Sequence, residues 1–386
     1  MTAHPDVRNR AMTAALRAAG VLTDARVEAA MHAVPRHLFA PDTGWLAPDN
    51  GAGPGRAINR HTDPDAWWDA VYSDGSIITQ REDGAAPADA PTGTPTSSLS
   101  GPGVVAGFLQ LLDVRARDRV LEIGTGTGWT AALLTRLGAD VTTIEVDPNV
   151  ADQATANLKA ADVAVHLVIG DGAHGRPDGG PYDRVHATCA VTAVPYPWVE
   201  QTRPGGVIVA PWQPIPGHGW KLRLTVSGPR AVGCFHGAAG YMLLRAHRTV
   251  ARWNPHHADD ASTARTRLDP RTIHQAGAGL MLAIAARCPR LGMMPMHNDD
   301  GSFSLLLFEP GNADGSWATC DWEPGHTDYQ VTQYGARRLW DETAAAFAWW
   351  VDQGAPGPDR YGLTVTEHGE HLWLDHPATT ISPAPP

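Results

Sequence analysis

The segment Val120–Leu134, with the sequence VLEIGTGTGWTAALL, decides the fold of this 386-residue chain. An apolar run ends in an acid, three glycines then alternate with threonines, and an apolar segment of helical spacing follows. This order predicts a strand, a tight turn and a helix, with a ligand held close to the backbone of the turn. A dinucleotide fingerprint fits poorly, because its third glycine would fall on Trp129. A phosphate loop of the Walker type is excluded, because no Gly-Lys-Ser/Thr ending follows.

The segments around this turn alternate between strand-like and helix-like patterns. The strand-like segments are RVLEIG, DVTTIEVD, VAVHLVIGD, YDRVHATCAV and GGVIVAPW, and helical segments such as NVADQATANLKAAD separate them. Alternation of this kind predicts an α/β fold, with a doubly wound, mostly parallel sheet and helices on both faces. The segments KLRLTVS and AVGCFHGAAGYMLLRAH are predicted to add antiparallel edge strands.

Three acids stand at the predicted carboxyl ends of successive strands, namely Glu122, Glu145 and Asp171. In a doubly wound sheet these ends border one crevice. A carboxylate at Glu145 suits two ribose hydroxyls, and Asp171 can accept from an adenine amine while Gly172 lets the base approach. Because Glu122 would oppose a phosphate, the pattern indicates S-adenosylmethionine as the cofactor. The alternative is an ordinary α/β turn whose glycines serve tight packing.

The composition narrows the class of protein. The net charge of −11 argues against a general nucleic-acid binder. No apolar run approaches the roughly 18 residues of a membrane span, and MTAHPDVRNR lacks the apolar core of a signal peptide. The cysteines are scattered without CxxC spacing, at Cys189, Cys234, Cys288 and Cys320. We therefore expect a cytoplasmic protein with reduced cysteines. No metal site is predicted, because the polar stretch NPHHADD, Asn254–Asp260, has the character of a loop.

The pattern changes after Arg248, and two domains are predicted. Residues 1–248 would form the cofactor-binding catalytic domain, in which residues 41–100 are a Gly-, Pro- and Asp-rich lead-in on the substrate side. Within this lead-in, WWDAVYSDGSIITQ is predicted to be a short strand or hairpin. Residues 249–386 would form a smaller α+β domain with possible peptide recognition. It begins with a predicted helix, RTIHQAGAGLMLAIAARCP.

Several motifs of the first domain occur in the order typical of one family. LRAAGVLTDARVEAAMHAVPRHLFAP, SLSGPGVVAGFLQLL, RVLEIGTGTGWTAALL, VIGDG and GCFHGAAGYMLLR resemble segments of the protein-L-isoaspartate O-methyltransferases over roughly Asn9–Arg248. The resemblance implies a class I methyltransferase fold that transfers a methyl group from S-adenosylmethionine to a peptide carboxylate and leaves S-adenosylhomocysteine. The cofactor-binding set that it implies is Glu122, Gly124, Thr125, Gly126, Gly128, Glu145, Asp171 and Gly172, with Ser97 and Leu99.

The resemblance also implies the catalytic residues. The family's Thr-Ile-Ser-x-Pro motif falls on Ser98–Pro102, which places the active-site serine at Ser100 with Ser98 beside it. A peptide carboxylate has a pKa of about 4 and is already ionised at neutral pH, so the reaction needs no general base. The hydroxyl would orient the carboxylate. The alternative role for Ser100 is that of a helix N-cap before Pro102.

Two departures from the family bear on the substrate. A long polar insertion separates Gln80 from Ser97, and residues 249–386 follow the end of the usual family pattern. The plan resembles a bacterial branch that methylates an aspartate of ribosomally made, modified peptides such as graspetides, leading to aspartimide. That branch implies an Asp- and Glu-rich precursor peptide as substrate and possible association with an ATP-grasp ligase. The alternatives are repair of isoaspartyl damage in proteins and a non-catalytic binding module.

The segment RRLWDETAAAFAWWVDQG predicts a helix with one apolar face. The predicted core face consists of Leu339, Thr343, Ala346, Phe347 and Trp350. Trp340 and Trp349 are predicted to point elsewhere, in part towards solvent. Core packing is the simpler interpretation of the helix, and the alternative is a peptide-docking surface in which Arg337 and Arg338 face an acidic substrate.

Overall fold

Three β-sheets organise the chain, which the computed structural model describes over residues 4–48, 54–249 and 253–383. The N-terminal part carries three helices and a four-stranded antiparallel sheet of order β2-β1-β3-β4. Its elements are α1 (Pro5–Ala18), α2 (Ala25–Ala33), β1 (Thr43–Pro48), β2 (Arg56–Asn59), α3 (Pro64–Val71), β3 (Gly75–Arg81) and β4 (Pro95–Leu99). The sequence predicted a strand or hairpin over WWDAV, but this segment is helical, because Asp63 caps it and Pro64 opens the first turn.

The central part follows the predicted α/β alternation. Its elements are α4 (Pro102–Leu112), β5 (Arg119–Ile123), α5 (Trp129–Arg136), β6 (Asp140–Glu145), α6 (Pro148–Ala160), β7 (His166–Ile169), β8 (Tyr182–Ala187), α7 (Tyr196–Glu200), β9 (Thr202–Ile215), β10 (His218–Ser227) and β11 (Arg230–Ala238). Strands β9, β8, β5, β6 and β7 lie parallel in that order. The predicted doubly wound sheet is confirmed, and β5 lies where its strand order reverses, which is where a crevice forms.

The C-terminal part contributes to two sheets. Its elements are β12 (Ser262–Thr266), α8 (Pro270–Gln275), α9 (Ala278–Arg287), β13 (Gly292–His297), β14 (Phe303–Phe308), β15 (Trp317–Trp322), β16 (Tyr329–Tyr334), α10 (Leu339–Asp352), β17 (Tyr361–Thr366) and β18 (Gly369–Leu374). Strands β12 to β16 form a separate antiparallel sheet of order β12-β16-β15-β14-β13. The single helix predicted from Arg271 is two helices, because Gly277 has a φ of +79° between them.

The last two strands correct the predicted domain boundary at residue 248. Strand β17 pairs antiparallel with β11, so β17 and β18 complete a nine-stranded sheet, and β11 is interior rather than the predicted edge. Glu370 of β18 accepts hydrogen bonds from the Trp212 indole and the Val194 amide, both at 2.8 Å. Its burial raises the pKa of this carboxyl to about 7. Residues 361–374 therefore belong structurally to the catalytic sheet.

One hydrophobic core extends from the central sheet into the C-terminal part. It joins the β5, β8 and β9 side chains to α9, β14 and α10. The predicted core face of α10 is confirmed, but Trp340, which was expected to point outward, is 3% exposed. Within the described ranges, no helix combines the length and apolar character needed to cross a membrane.

Candidate active site

The glycine turn after β5 has a backbone that few other residues could adopt. Gly124, Gly126 and Gly128 have φ angles of +91°, +55° and +89°, which L side chains rarely adopt. A Cβ atom at Gly124 would lie 2.8 Å from the Thr188 hydroxyl oxygen. The Gly124 amide donates to the Ile144 carbonyl at 2.8 Å, which ties the turn to β6. The turn therefore opens the carboxyl edge of the sheet to a ligand.

A crevice, called here the cofactor crevice, lies at this edge. Its lining comprises Ser97–Ser100 of the segment before α4, the Gly124–Thr127 turn, Glu145–Asp147 after β6, Gly172, Thr188 and Cys189 after β8, and Met242–Arg245 with Arg248. The ends of β5, β6 and β7 thus meet at the crevice, as the sequence predicted, and the segment that contains Ser98 and Ser100 lies against them. Of the residues predicted to bind the cofactor, Ser97, Leu99, Gly124, Thr125, Gly126, Glu145 and Gly172 lie in the lining.

Glu145 presents a buried carboxylate to the crevice. One oxygen accepts from the Gly126 amide at 2.9 Å, and the other accepts from the Val146 and Asp147 amides at 2.9 and 3.1 Å. Burial raises the pKa of this carboxyl, and the three amide donors oppose the shift. A carboxylate oxygen can accept more than one hydrogen bond, so Glu145 can still receive the two hydroxyls of a ribose.

Two arginines close one wall of the crevice, and the sequence did not indicate them. Arg245 contacts the Asp147 carboxylate at 3.1 Å, and both Arg245 and Arg248 contact the Asp83 carboxylate, at 2.9 and 2.7 Å. We call these contacts of Asp83 the Asp83 bridge. Gln80 also donates to Asp147 at 3.1 Å. Burial alone would raise the pKa of Asp147, but the hydrogen bonds from Gln80 and Arg245 keep it below its ordinary value.

The pairing of Arg245 and Arg248 with carboxylates indicates which class of ligand fits the cofactor crevice. Both arginines are matched by carboxylates, so the wall presents paired charges rather than free cations to a polyphosphate. The glycine turn and the Glu145 carboxylate fit the nucleoside and the positively charged sulfur of S-adenosylmethionine. The insertion after Gln80, which was expected to border the substrate side, reaches the cofactor crevice through Asp83.

Three predicted cofactor residues lie outside the lining. Glu122 is completely buried within the sheet, where the Thr143 hydroxyl donates to it at 2.6 Å and burial raises its pKa to about 8. Gly128 begins α5, and a Cβ there would meet Leu158 at 3.1 Å, so its role is packing. Asp171 accepts from the Ala173 amide at 2.9 Å beside the crevice. The structure places Glu122 and Gly128 outside the lining and gives Asp171 a capping role, and direct cofactor contact by these three residues stays a prediction.

The sequence left open whether the Ser100 side chain caps helix α4, and the structure shows that it does not. Gly101 is the N-cap of α4, and its amide donates to the Ser76 hydroxyl at 3.1 Å. The completely buried Arg36 donates to the carbonyls of Leu99 and Ser100 at 3.3 and 3.0 Å and so fixes this segment. Across the described ranges, no hydrogen bond engages the Ser100 hydroxyl, which stays available to a ligand.

A second cleft adjoins the cofactor crevice, and we call it the substrate cleft. Its walls come from β3, the first turn of α4, β10 and the segment after β11. Ser98, Ser100 and Met242 line both spaces. A molecule in the substrate cleft would therefore meet the cofactor at the two serines. Lys221 of β10 lines the same cleft.

Other candidate groups have structural roles. Burial raises the pKa of the Cys189 thiol to about 12, which agrees with the prediction that it is a packing residue rather than a nucleophile. No metal-binding cluster of His, Cys, Asp and Glu occurs in the part of the chain that the structure describes, the NPHHADD loop included.

The arginine pair before α10 has partners within the chain. Arg337 donates to Glu342 at 3.0 Å and to Glu309 at 3.3 Å. Arg338 lies 3.6 Å from Asp341. Carboxylates of the same chain thus engage the Arg337 guanidinium, whereas Arg338 stays partly exposed, and docking of an acidic peptide on this pair remains a prediction.

Comparison with known proteins agrees with this geometry. Residues 80–221 match the family described as Protein-L-isoaspartate(D-aspartate) O-methyltransferase (PCMT). The protein-L-isoaspartate O-methyltransferase of Methanoculleus marisnigri is 36% identical over 200 residues, which cover 52% of this chain and 74% of that protein. The one from Chromobacterium violaceum is 35% identical over 221 residues, covering 57% and 82% of the two chains.

A solved structure extends the likeness beyond the catalytic part. A protein-L-isoaspartate O-methyltransferase superposes with a TM-score of 0.54 and 19% sequence identity, covering 95% of this chain and all of that one. At this identity the likeness concerns the fold alone. The superposition covers 95% of this chain and therefore extends into the part after residue 248. A protein of this name can thus have a fold that includes such a C-terminal part.

Proposed function

The chain belongs to the protein-L-isoaspartate O-methyltransferase family and is an S-adenosylmethionine-dependent carboxyl O-methyltransferase, and we propose that it methylates the free carboxylate of an isoaspartyl residue in peptides. The observation that carries this proposal is the meeting of the cofactor crevice and the substrate cleft at Ser98 and Ser100. A carboxylate seated there would lie between a free hydroxyl and the cofactor. We expect this activity in the cytoplasm.

The residues of the chain position the reactants and perform no proton transfer. When bound, S-adenosylmethionine supplies an electrophilic methyl group on sulfur and leaves as neutral S-adenosylhomocysteine. The carboxylate is already ionised, so one oxygen–carbon bond forms and one sulfur–carbon bond breaks without a base. Ser100 would donate a hydrogen bond to the carboxylate oxygen that does not react. Arg36 holds the backbone carbonyl of Ser100 and so fixes the position from which the hydroxyl reaches the boundary between the two spaces.

Exclusion of water contributes to the same step. Leu99 and Ile123 contribute apolar residues to the lining of the cofactor crevice, and Met242 lines both spaces. A carboxylate stripped of water at this boundary is a stronger nucleophile than a hydrated one. No cation is needed next to the reacting oxygens, which suits the hydroxyl of Ser100 better than a positively charged group would.

The test is a methyl-transfer assay with matched peptides. The enzyme and S-adenosylmethionine are incubated with a peptide containing isoaspartate and with the same peptide containing aspartate. We expect a mass increase of one methyl group on the isoaspartyl peptide, together with stoichiometric S-adenosylhomocysteine. Methylation of neither peptide by an enzyme that binds the cofactor would contradict the proposal.

A second candidate is methylation of an aspartate in a ribosomally made, modified peptide such as a graspetide, leading to aspartimide. The insertion between Gln80 and Ser97 favours it, because this segment forms an ordered excursion between β3 and β4 that touches the cofactor wall through Asp83. Such an enzyme would act on an acidic precursor peptide and could associate with the ATP-grasp ligase of the same pathway. Turnover of the isoaspartyl peptide, with none on a cyclised precursor, would exclude this candidate.

A further inference from the structure

Lys221 is a half-buried cation inside the substrate cleft. The sequence contains two lysines, Lys159 and Lys221, and the second projects from β10 into this cleft. Across residues 4–48, 54–249 and 253–383, no hydrogen bond or ion pair engages its ammonium group. Burial lowers the pKa of Lys221, and no neighbouring carboxylate offsets this effect. A partly desolvated cation of this kind needs an anion from outside the chain.

The ammonium group lies some distance from the reacting position. A Cβ atom built on Gly107 would lie 3.2 Å from the Lys221 nitrogen, which places the nitrogen beside the second turn of α4. Ser100 precedes the first turn of the same helix. Gly107 lies five positions after Pro102, which corresponds to about 7.5 Å along the helix axis. An extended peptide covers this distance in about two residues.

The charges around Lys221 favour an incoming anion. Burial lowers the pKa of His236 on β11, and the nearby charges of Arg223 and Lys221 lower it further, which keeps this imidazole neutral beside the two cations. Asp74, the carboxylate in the cleft lining, accepts from the Gly103 amide at 2.7 Å and makes no ion pair with Lys221. Among the described residues, Lys221 is therefore a cation of the cleft lining without a carboxylate partner, in a chain of net charge −11.

We propose that Lys221 binds a second carboxylate of the substrate, carried by a peptide residue close to the one that is methylated. This inference rests on the proposed methyl transfer and adds a specificity determinant to it. The reacting carboxylate meets Ser100, and a flanking aspartate or glutamate meets Lys221. The ion pair would be made equally before and during methyl transfer, so it should lower KM and leave kcat unchanged.

The test uses isoaspartyl peptides that carry one glutamate at each position from three before to three after the isoaspartate, each paired with its glutamine analogue. We expect wild-type kcat/KM to be about 10-fold higher for glutamate at one position, through KM, as a partly buried ion pair predicts. Lys221→Gln should make the two peptides equal, and Lys221→Arg should retain most of the preference. High salt should reduce the wild-type preference.

Lys159→Gln is the matched control, because it removes the other lysine from the exposed face of α6 and changes the net charge equally. It should leave the preference intact. A Lys221→Gln enzyme that keeps the glutamate preference, or whose kcat/KM falls by the same factor on both peptides, would overturn the proposal.

Peptide binding in the presence of S-adenosylhomocysteine, measured by fluorescence anisotropy, separates the proposed function from the proposed Lys221 site. A Lys221-dependent difference in peptide affinity without any methyl transfer would contradict the function and support this site, and equal affinities would reject the site.

Discussion

The cofactor crevice and the substrate cleft share Ser98 and Ser100, yet they are built in different ways. The cofactor crevice is shaped mainly by backbone, above all by the turn at Gly124 and Gly126, and by the ends of adjacent parallel strands. The substrate cleft is bounded by side chains from distant segments, among them Lys221. Backbone shape tolerates little change at a single position, whereas a side-chain wall can be altered one residue at a time. Substitutions should therefore affect cofactor binding and substrate choice separately.

The largest expected effect is at the glycine turn. Gly124→Val would force a side chain onto a φ of +91° and against the Thr188 hydroxyl, so S-adenosylhomocysteine binding should weaken at least about 100-fold. Isothermal titration calorimetry measures this. Gly228→Ala is the control, because Gly228 has a φ of +61° but open space around it. It should lose about 1 kcal/mol of stability and keep its cofactor affinity. Tight binding by Gly124→Val would show that the turn does not shape the crevice.

The next effect is at the boundary between the two spaces. Ser100→Ala removes the hydroxyl that orients the carboxylate, so kcat should fall by about 10- to 100-fold, while the dissociation constant for S-adenosylhomocysteine should stay unchanged. Steady-state methyl transfer and calorimetry measure the two quantities. Ser227→Ala, at the exposed end of β10, serves as the control. Unchanged kcat in Ser100→Ala would leave this serine with a purely structural role.

The buried acid beneath the glycine turn should affect stability and its dependence on pH. The pKa of Glu122 is raised to about 8 in the folded chain from an ordinary value of 4.5. Between these two pH values the folded state holds a proton that the unfolded state releases, so the free energy of unfolding falls as pH rises. Glu122→Gln should remove about 3 kcal/mol of this decrease between pH 5 and pH 8, because each unit of pKa difference between the two states is worth about 1.4 kcal/mol.

Urea denaturation at the two pH values measures this difference. Glu370, whose pKa is raised to about 7, should leave a residual decrease in the variant. Exposed Glu200→Gln is the control and should preserve the wild-type dependence. The same dependence in Glu122→Gln as in wild type would mean that Glu122 is ionised in the folded state.

The smallest effect concerns the Asp83 bridge across the cofactor crevice. Asp83→Asn removes the carboxylate that pairs with Arg245 and Arg248. Because these pairs are partly exposed, each contributes little, and the cofactor should dissociate only about 2- to 5-fold faster. Stopped-flow displacement of S-adenosylhomocysteine measures the rate. Asp178→Asn breaks an exposed pair with Arg176 outside the crevice and should change nothing. If 0.5 M salt leaves the wild-type rate unaltered, the bridge does not retain the cofactor.

Much of the cofactor crevice could be predicted from sequence, because its parts are short, contiguous and placed by a rule of strand order. Gly124, Gly126, Glu145 and Gly172 follow strands whose carboxyl ends must meet in a doubly wound sheet. Glu122 and Gly128 flank the same turn but lie outside the lining of the crevice. Side chains alternate along a strand, so a neighbour of a site residue can face the interior of the sheet. The apolar face of α10 was predictable from helical spacing.

The wall of the cofactor crevice and the lining of the substrate cleft depend on pairings between remote residues. Asp83 meets Arg248 across 165 positions, and Lys221 reaches α4 because β10 pairs antiparallel with β9. Local sequence predicted the glycine turn and its helix, since a strand ending in such a turn can fold in few ways. Tertiary structure decided that Arg337 pairs with carboxylates of its own chain, that residues 361–374 complete the central sheet, and that Lys221 lines the same cleft as the serines. These outcomes depend on packing between segments, and local propensity does not encode which surfaces meet.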